Sequence, residues 1–341
     1  MRRKHLILLS LMLISGKCFS QDPHFSQFFA SPLTLNPAYT GKFDGLWRVA
    51  ANHRDQWPTI PKAYVTTSAS FDFPILQKYI PEGDVFGVGV SALTDASASN
   101  ILKLNYGSLA VSYHKSLDEN SYNTIGVGFQ GTYSSMTLDI TRLTFEDELR
   151  QNGFAQGTSG EYTGSNPLTG RLNNGNYFEG NAGILFSGST NGENNYYLGV
   201  SMYHITQPRV SFKDISWYLN NRLTIHGGGS FPLSESIGVN FSIINQSQNK
   251  ASETVLGGAV SINANGDKVN PTNVYVGSWL RLNDAFIPYI GLEFNNFRIG
   301  ASYDINTSSL KTGTSSRGGS EFSLIYIKRP PESKGIPCPR F

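Results

Sequence analysis

The chain has 341 residues, 27 of them basic and 25 acidic, for a formal charge of +2. That balance, with no basic stripe, excludes nucleic acid as a partner. Only 15% of residues are charged, while 12% are aromatic and 35 are glycine; soluble domains carry roughly 25% charge, so an ordinary soluble globule is disfavoured.

Residues 1–20 read as a cleaved signal peptide. Arg2, Arg3 and Lys4 form a basic start, Leu6 to Ile14 is apolar except for Ser10, and Cys18-Phe19-Ser20 gives a small-x-small site before Gln21. Leu6 to Ile14 falls far short of the ~20 residues a spanning helix needs. Lys17 beside Cys18 argues against a lipoprotein start. Removing this segment takes Arg2, Arg3, Lys4 and Lys17 and leaves 23 basic against 25 acidic residues. The mature chain keeps one cysteine, Cys338, and so has no disulfide framework. Its stability must come from a large core or from a closed barrel in lipid.

Residues 21–45 precede the first strand. Phe25, Phe28 and Phe29 lie within five residues, and Asn36-Pro37 is a turn or helix-start signal. This is not the composition of a flexible linker. The segment is expected to be ordered, packed inside a barrel or at its periplasmic mouth.

From residue 46 to 328 the chain alternates. Fourteen segments carry period-two patterning, near 46–53, 64–73, 85–94, 101–114, 123–136, 176–187, 195–205, 222–232, 236–247, 252–262, 273–282, 286–294, 296–304 and 320–328. In one, Ile237, Val239, Phe241 and Ile243 share a face while Gly238, Asn240 and Ser242 share the other. In another, Phe297, Ile299, Ala301 and Tyr303 oppose Arg298, Gly300, Ser302 and Asp304. Period two with one apolar and one polar face is the strand signature. Many segments are near the ~9–11 residues that cross a bilayer when tilted. After the signal no apolar run is long enough for a spanning helix, and low charge with many aromatics and glycines suits a membrane barrel. The predicted fold is all-β, a transmembrane antiparallel β-barrel of about fourteen strands with both termini periplasmic; bacterial single-chain barrels have even strand numbers. A soluble β protein also alternates, but strand number and low charge weigh against it. The phase of 101–114 changes near Gly107, which predicts a bulge. Tyr64, Tyr133, Tyr177, Tyr203, Tyr275 and Tyr303 lie near segment ends and are expected in interfacial girdles.

The short connections at 233–235 and Asn295 then face the periplasm, and the long ones at 137–175 and 206–221 face outward. The first of these exceeds ordinary loop length and is expected to be functional. It carries Leu138-Asp139-Ile140-Thr141 and Phe145-Glu146-Asp147-Glu148, and part of it is expected to fold locally as a short helix that caps or plugs the pore, against the plainer reading of a mobile loop. Residues 329–341 form a periplasmic tail kept extended by its prolines.

Catalytic signals are weak. Gly126-Val127-Gly128-Phe129-Gln130-Gly131 matches a dinucleotide fingerprint, but no helix opens from it; glycine on the lumen face of a strand is the better reading. His24, His53, His114, His204 and His226 have no partner at metal-ligand spacing, and no nucleophile elbow appears. No cofactor, metal or catalytic residue is assigned, and the chain is read as not an enzyme.

Pro23-His24-Phe25-Ser26-Gln27-Phe28, Asn36-Pro37-Ala38-Tyr39-Thr40-Gly41, Arg54-Asp55-Gln56-Trp57, Pro61-Lys62-Ala63-Tyr64, Ser68 to Asp72 and the closing Cys338-Pro339-Arg340-Phe341 follow one another along the mature chain. This ordered set resembles the PorP/SprF family of membrane proteins from Bacteroidota. The resemblance implies an outer-membrane barrel associated with the type IX secretion system and gliding motility, coupled to periplasmic components or to secreted adhesin cargo. It carries over no catalytic residue. The candidate partner-binding or structural positions are Phe25, Phe28, Asn36, Pro37, Ala38, Tyr39, Gly41, Arg54, Trp57, Arg340 and Phe341. Arg54 and Trp57 are expected just past the first strand, near the outer mouth. The implied function is that of an accessory barrel acting through protein–protein contacts in the outer membrane; the alternative is a passive porin or small-molecule transporter.

Overall fold

The structure, a computed structural model, describes residues 22–60, 63–139, 142–155, 158–159, 171–172, 175–212, 215–267 and 270–330. The proposed signal peptide, Cys338, Arg340, Phe341 and most of the second half of the long connection lie outside these residues.

Fourteen long strands form one sheet. They are β1 (Trp47–Gln56), β2 (Tyr64–Ile75), β3 (Val85–Ser97), β4 (Leu102–Ser116), β5 (Thr124–Asp139), β6 (Tyr177–Gly188) and β7 (Asn195–Tyr203). There follow β8 (Arg222–Pro232), β9 (Ile237–Gln248), β10 (Ala251–Asn263), β11 (Asn273–Arg281), β12 (Ala285–Phe294), β13 (Phe297–Asn306) and β14 (Arg317–Lys328). Each pairs antiparallel with its neighbours in sequence, and β1 pairs with β14 from Trp47↔Lys328 to Gln56↔Gly319. The sheet therefore closes and leaves no open edge, the condition for strands to cross a hydrocarbon layer. Among the described residues no helix is long and apolar enough to cross a membrane.

The alternation places side chains as the sequence predicts. Val111, Val127, Phe129, Ile184, Leu198, Val200, Ile243, Val276, Ile290 and Ile299 point outward and are exposed, an apolar band that water would not tolerate at this extent. Ser112, Gln130, Thr132, Asn181, Thr224, Ser242 and Ser302 point inward and are buried.

β1 begins and β14 ends at one rim, here the proximal rim; β5, β7 and β13 end at the other, the distal rim. The proximal rim has tight turns such as 295–296, where Asn295 takes φ +51°, a backbone region that asparagine tolerates. Outward aromatics ring this rim, with Trp47 against Phe71 and Tyr326, and Phe297 against Tyr326 and Phe294.

Several expectations change. No bulge occurs at Gly107: β4 pairs with β5 in unbroken register from Leu102↔Leu138 to Ser116↔Thr124. Leu102, Leu104 and Tyr106 face inward there while Lys103 and Asn105 face out, so the hydrophobic phase inverts near the distal rim without any backbone shift. The bulge lies instead at Asp304/Ile305 in the β13–β14 pairing. Of the six girdle tyrosines, Tyr133 and Tyr303 point outward and Tyr64 is exposed at the distal end of β2. Tyr177, Tyr203 and Tyr275 share the inward face with Glu179, Ser201 and Trp279. In the long connection, Phe145–Glu148 forms a single 3-10 turn followed by a two-residue hairpin.

If the outward face meets lipid, Ile290→Arg at mid-wall is expected to cost about 2–4 kcal/mol in folding titrations into bilayers, against about 0–1 kcal/mol for Leu233→Arg in the β8–β9 turn. Equal costs at the two positions would contradict the assignment.

Candidate functional site

Residues 22–46 run down the lumen. Proline at 32 and 37 cannot extend a strand ladder, so this stretch folds as single turns: 3-10 at Phe28–Ala30, α at Pro32–Leu35 and 3-10 at Pro37–Tyr39. Asn36 caps the last turn, its Oδ1 accepting from the Ala38 amide at 2.9 Å. A column of three short turns leaves many backbone groups without helical partners, and the barrel wall supplies them.

At the distal rim the wall supplies charge. Asp22 meets Arg222 at 3.2 Å and His204 Nε2 at 2.5 Å, and its amide donates to Gln248 at 3.0 Å. The other nitrogen of His204 binds Glu179. His24 pairs with Glu253 at 3.0 Å. Arg54 donates to the His24 carbonyl at 2.7 Å and to Asp304 at 2.9 Å, and Arg281 reaches Asp304 at 2.9 Å and Ser26 Oγ at 2.6 Å. Glu321 accepts the amides of Ser26 and Gln27 at 2.7 and 2.9 Å. These groups are nearly all buried, and buried charge persists only when paired and hydrogen-bonded. Breaking one partner leaves the others stranded, so the network specifies where the segment starts.

Below it lies an aromatic layer. Phe29 packs at 4.9 Å on Trp279 and edge-on at 5.5 Å against Tyr289. Next the wall meets the backbone of the turns. Tyr203 Oη donates to the Leu33 carbonyl at 3.0 Å, and Ser201 Oγ to the Leu35 carbonyl at 2.7 Å. His114 Nε2 donates to the Ala38 carbonyl at 2.7 Å, which fixes its tautomer, and Ser112 Oγ donates to the Thr40 carbonyl at 2.5 Å. Asn36 Nδ2 donates to the Ile184 carbonyl at 3.0 Å and sits 3.1 Å from His226 Nε2. At the proximal rim Arg48 forks onto Asp72 at 3.0 and 2.8 Å, and Asp72 accepts the Gly41 amide at 2.7 Å. A bidentate guanidinium–carboxylate pair is among the stronger contacts available to a side chain.

This close approach needs walls without Cβ atoms. A methyl at Gly128 would fall on the Pro37–Ala38 peptide, one at Gly183 on the Asn36 amide, and one at Gly87 on the Thr40 carbonyl. The fingerprint-like Gly126 and Gly128 are thus lumen-facing glycines of β5. Backbone reaching so near backbone is a recurrent use of strand glycine.

Of the sequence-predicted residues, Phe25, Phe28, Asn36, Pro37, Ala38, Tyr39, Gly41 and Arg54 come together in the lumen, all buried. Arg54 lies inside β1, not past it, because the strand runs to Gln56. Trp57 stands apart at the distal rim, at φ +56° and edge-on to Tyr64. Sequence reasoning missed the wall partners Glu179, His204, Arg222, Glu253, Arg281 and Glu321. Their only signal is charge at inward positions, and the groups they pair with are distant in sequence.

Because the segment enters on the distal side, Asp22 and Lys328 lie at opposite rims. The two ends of the described chain therefore do not share a side, although β1 and β14 do. Among the described residues no group of three or more His, Cys, Asp or Glu is placed to hold a metal ion.

A family model described as type IX secretion system membrane protein PorP/SprF matches residues 17–326. No curated protein matches the chain. Among solved structures, the Pseudomonas putida toluene transporter TodX is similar at 10% identity and a TM-score of 0.51, over 90% of this chain and 98% of that one. The Ralstonia pickettii toluene transporter TbuX is similar at 11% identity and a TM-score of 0.49, over 88% and 93%. At such identity the TodX likeness speaks for the barrel fold alone.

Two tests follow from the geometry. Overpacking costs ~1–3 kcal/mol, and ~1.4 kcal/mol is a factor of ten. Gly183→Val is accordingly expected to raise protease cleavage within residues 22–46 about tenfold or more while the barrel keeps its heat-modifiable gel mobility; unchanged cleavage would count against the packing described.

The second test concerns pH. Burial alone would lower the pKa of His204, one residue past β7, but its contacts with Asp22 and Glu179 outweigh that and hold it at about 9. Burial alone would raise the pKa of Asp22, yet Arg222 and His204 bring it down to about 2. A raised histidine stabilises below its unfolded value of 6.5 and loses that contribution as pH climbs through about 9. A depressed aspartate stabilises above 3.8 and loses its contribution as pH falls through about 2. Hydrogen exchange of residues 22–27 should therefore be slow at neutral pH and quicken above pH 9 beyond the intrinsic trend, and His204→Gln should abolish that extra rise.

Proposed function

This chain belongs to the PorP/SprF family of type IX secretion system membrane proteins, and we propose that it serves that system as a filled outer-membrane barrel, anchoring or assisting secreted adhesins through protein contacts and not by passing solutes. The outer membrane is where its family and its fold put it. The observation that carries the proposal is the occupied lumen: residues 22–46 are bonded to the wall at every level, from the Asp22–Arg222 pair to the Gly41 amide on Asp72 and the Tyr39 carbonyl on Arg48. A passive porin needs the opposite, a wet channel.

In this reading the proximal rim, with its short turns, faces the periplasm, and the long connections face outward. The proximal mouth then offers periplasmic components of the machine a rigid surface. The distal connections, including 204–221 and the Phe145–Glu148 turn, would meet cargo arriving outside. The family and fold are not those of known enzymes, and the lumen's buried charges are paired structurally. We read the chain as non-catalytic, with roles in gliding following from which adhesin it serves.

A clean deletion strain tests this. Secreted adhesins are expected to accumulate in the periplasm while uptake of small hydrophilic solutes stays unchanged. Normal adhesin display, or a selective loss of solute uptake, would overturn the proposal.

A further inference from the structure

The outward face of the barrel is not uniformly bulky. Between β4, β5 and β6 it is indented by an apolar cleft of about 430 Å³. Gly131, Gly180 and Ala182 form its floor, with Leu109 and Phe129 on one side and Ile205 on the other. Leu109 stands opposite Gly131 in the β4–β5 pairing, and Gly131 opposite Gly180 in the β5–β6 pairing, so two adjacent strands lack a side chain at the same step of the wall. These glycines differ from those that face the lumen. A Cβ on Gly128 or Gly183 would strike the N-terminal segment, whereas one on Gly180 would meet only the Thr206 methyl at 3.5 Å, and one on Gly107 nothing within 4 Å. Packing within the chain does not demand glycine at these outward positions. Glycine weakens a strand because it leaves nothing to pack, so what it provides here is space.

The cleft lies in the distal half of the apolar band. Tyr133 and Phe178, paired with each other and both exposed, stand two residues further along β5 and β6 toward the distal rim, where aromatic side chains mark the edge of the hydrocarbon layer. The tip of the Phe178 ring comes within 3.0 Å of the place a Gly131 Cβ would take and so closes the distal end of the cleft above β5. The way past it runs along β4, whose outward residues change character in order: Val111 and Leu109 are apolar, Gly107 is bare, and Asn105 and Lys103 are polar. Asn105 Oδ1 accepts from Thr94 Oγ1 at 3.1 Å, which leaves the amide nitrogen to donate elsewhere, and Lys103 is exposed. Apolar cleft, bare glycine, amide and ammonium thus follow the order in which a phospholipid presents its chain, its glycerol esters and its phosphate.

The surroundings decide what enters the cleft. It is continuous with the band that meets the bilayer, so hydrocarbon stands at its mouth. A cleft of about 430 Å³ holds roughly fourteen groups of ~30 Å³, the share of one water and close to that of a methylene, which is one acyl chain. We propose that the cleft between β4 and β6 binds one acyl chain of a phosphate-bearing lipid, whose headgroup is held by Asn105 and Lys103 at the distal rim. In the orientation given above the lipid belongs to the outer leaflet; the site itself does not rest on the secretion reading. Elsewhere the wall is bulky, as at Ile243 and Ile299, both exposed, and offers lipid no comparable recess.

The test uses the purified full-length mature barrel in phosphatidylcholine nanodiscs that contain a small fraction of phosphatidylglycerol carrying a photoactivatable group in its acyl chain. Peptides of β4 to β6 are expected to take at least about tenfold more label than peptides of β9 and β13, a preference of ~1.4 kcal/mol. Gly131→Leu and Gly180→Leu each fill the cleft and should bring the two sets to parity while the barrel keeps its heat-modifiable gel mobility. Lys103→Gln is expected to weaken competition by unlabelled phosphatidylglycerol about fivefold, the effect of ~1 kcal/mol for one basic side chain near anionic lipid, and to leave competition by phosphatidylcholine unchanged. Label spread evenly around the wall, or enrichment that survives both leucine variants, overturns the proposal and leaves the cleft to a membrane-embedded protein. A loss of affinity for both lipids alike in Lys103→Gln overturns the headgroup assignment.

Discussion

A ring of about eight strands is nearly filled by its own inward side chains, whereas larger rings leave space inside. With fourteen strands, this barrel has room that something must occupy or that water will enter. Here residues 22–46 occupy it, and the inward glycines are what let them. Gly87 and Gly128 allow the backbone of the segment to approach the backbone of the wall, and Gly183 makes room for the Asn36 side chain, so that carbonyls of Leu33, Leu35, Ala38 and Thr40 reach wall donors. The other features follow from that contact. Proline keeps the segment out of the sheet, the single turns expose its polar groups, and the wall's hydroxyls, imidazoles and charges satisfy them.

The arrangement has a gradient along the barrel axis. Ion pairs dominate at the distal rim, aromatic rings come next, neutral hydrogen bonds to peptide groups follow, and the Arg48–Asp72 fork stands at the proximal rim. The aromatic layer, Phe29 on Trp279 and Tyr289, supplies apolar contact directly below the distal ion pairs. The segment is registered along the axis, because sliding by one residue would break the Asp22 contacts at the distal rim and the bonds of the Tyr39 carbonyl and Gly41 amide to the Arg48–Asp72 fork at the proximal rim.

Much of the barrel was legible from period-two alternation alone, since one face meets lipid and the other does not. All fourteen strands lie where the alternation marks them, though β1, β3, β5 and β14 are each about three residues longer at the distal rim, where an outward face no longer needs to be apolar. That same loss of the lipid constraint produced the false bulge at Gly107, where Leu102, Leu104 and Tyr106 turn inward above the apolar band. The aromatic N-terminal segment was recognisable as ordered from Phe25, Phe28 and Asn36-Pro37. Its wall partners were not: Glu179, Arg281 and Glu321 sit far away in sequence, and nothing local distinguishes a lumenal charge that holds a segment from one that would face water. Tyr203 looked like an interfacial tyrosine for the same reason, since only closure of the ring decides which way the end of β7 points.

Whether the lumen is filled, as the account holds, is most directly tested by single-channel recording in planar bilayers. The mature protein is expected to give no steady ohmic conductance, and a variant combining Gly183→Val with Asp22→Asn, which crowds the middle of the segment and releases its distal anchor, is expected to conduct. Steady open channels from the unaltered protein, equal to those of the variant, would contradict the account.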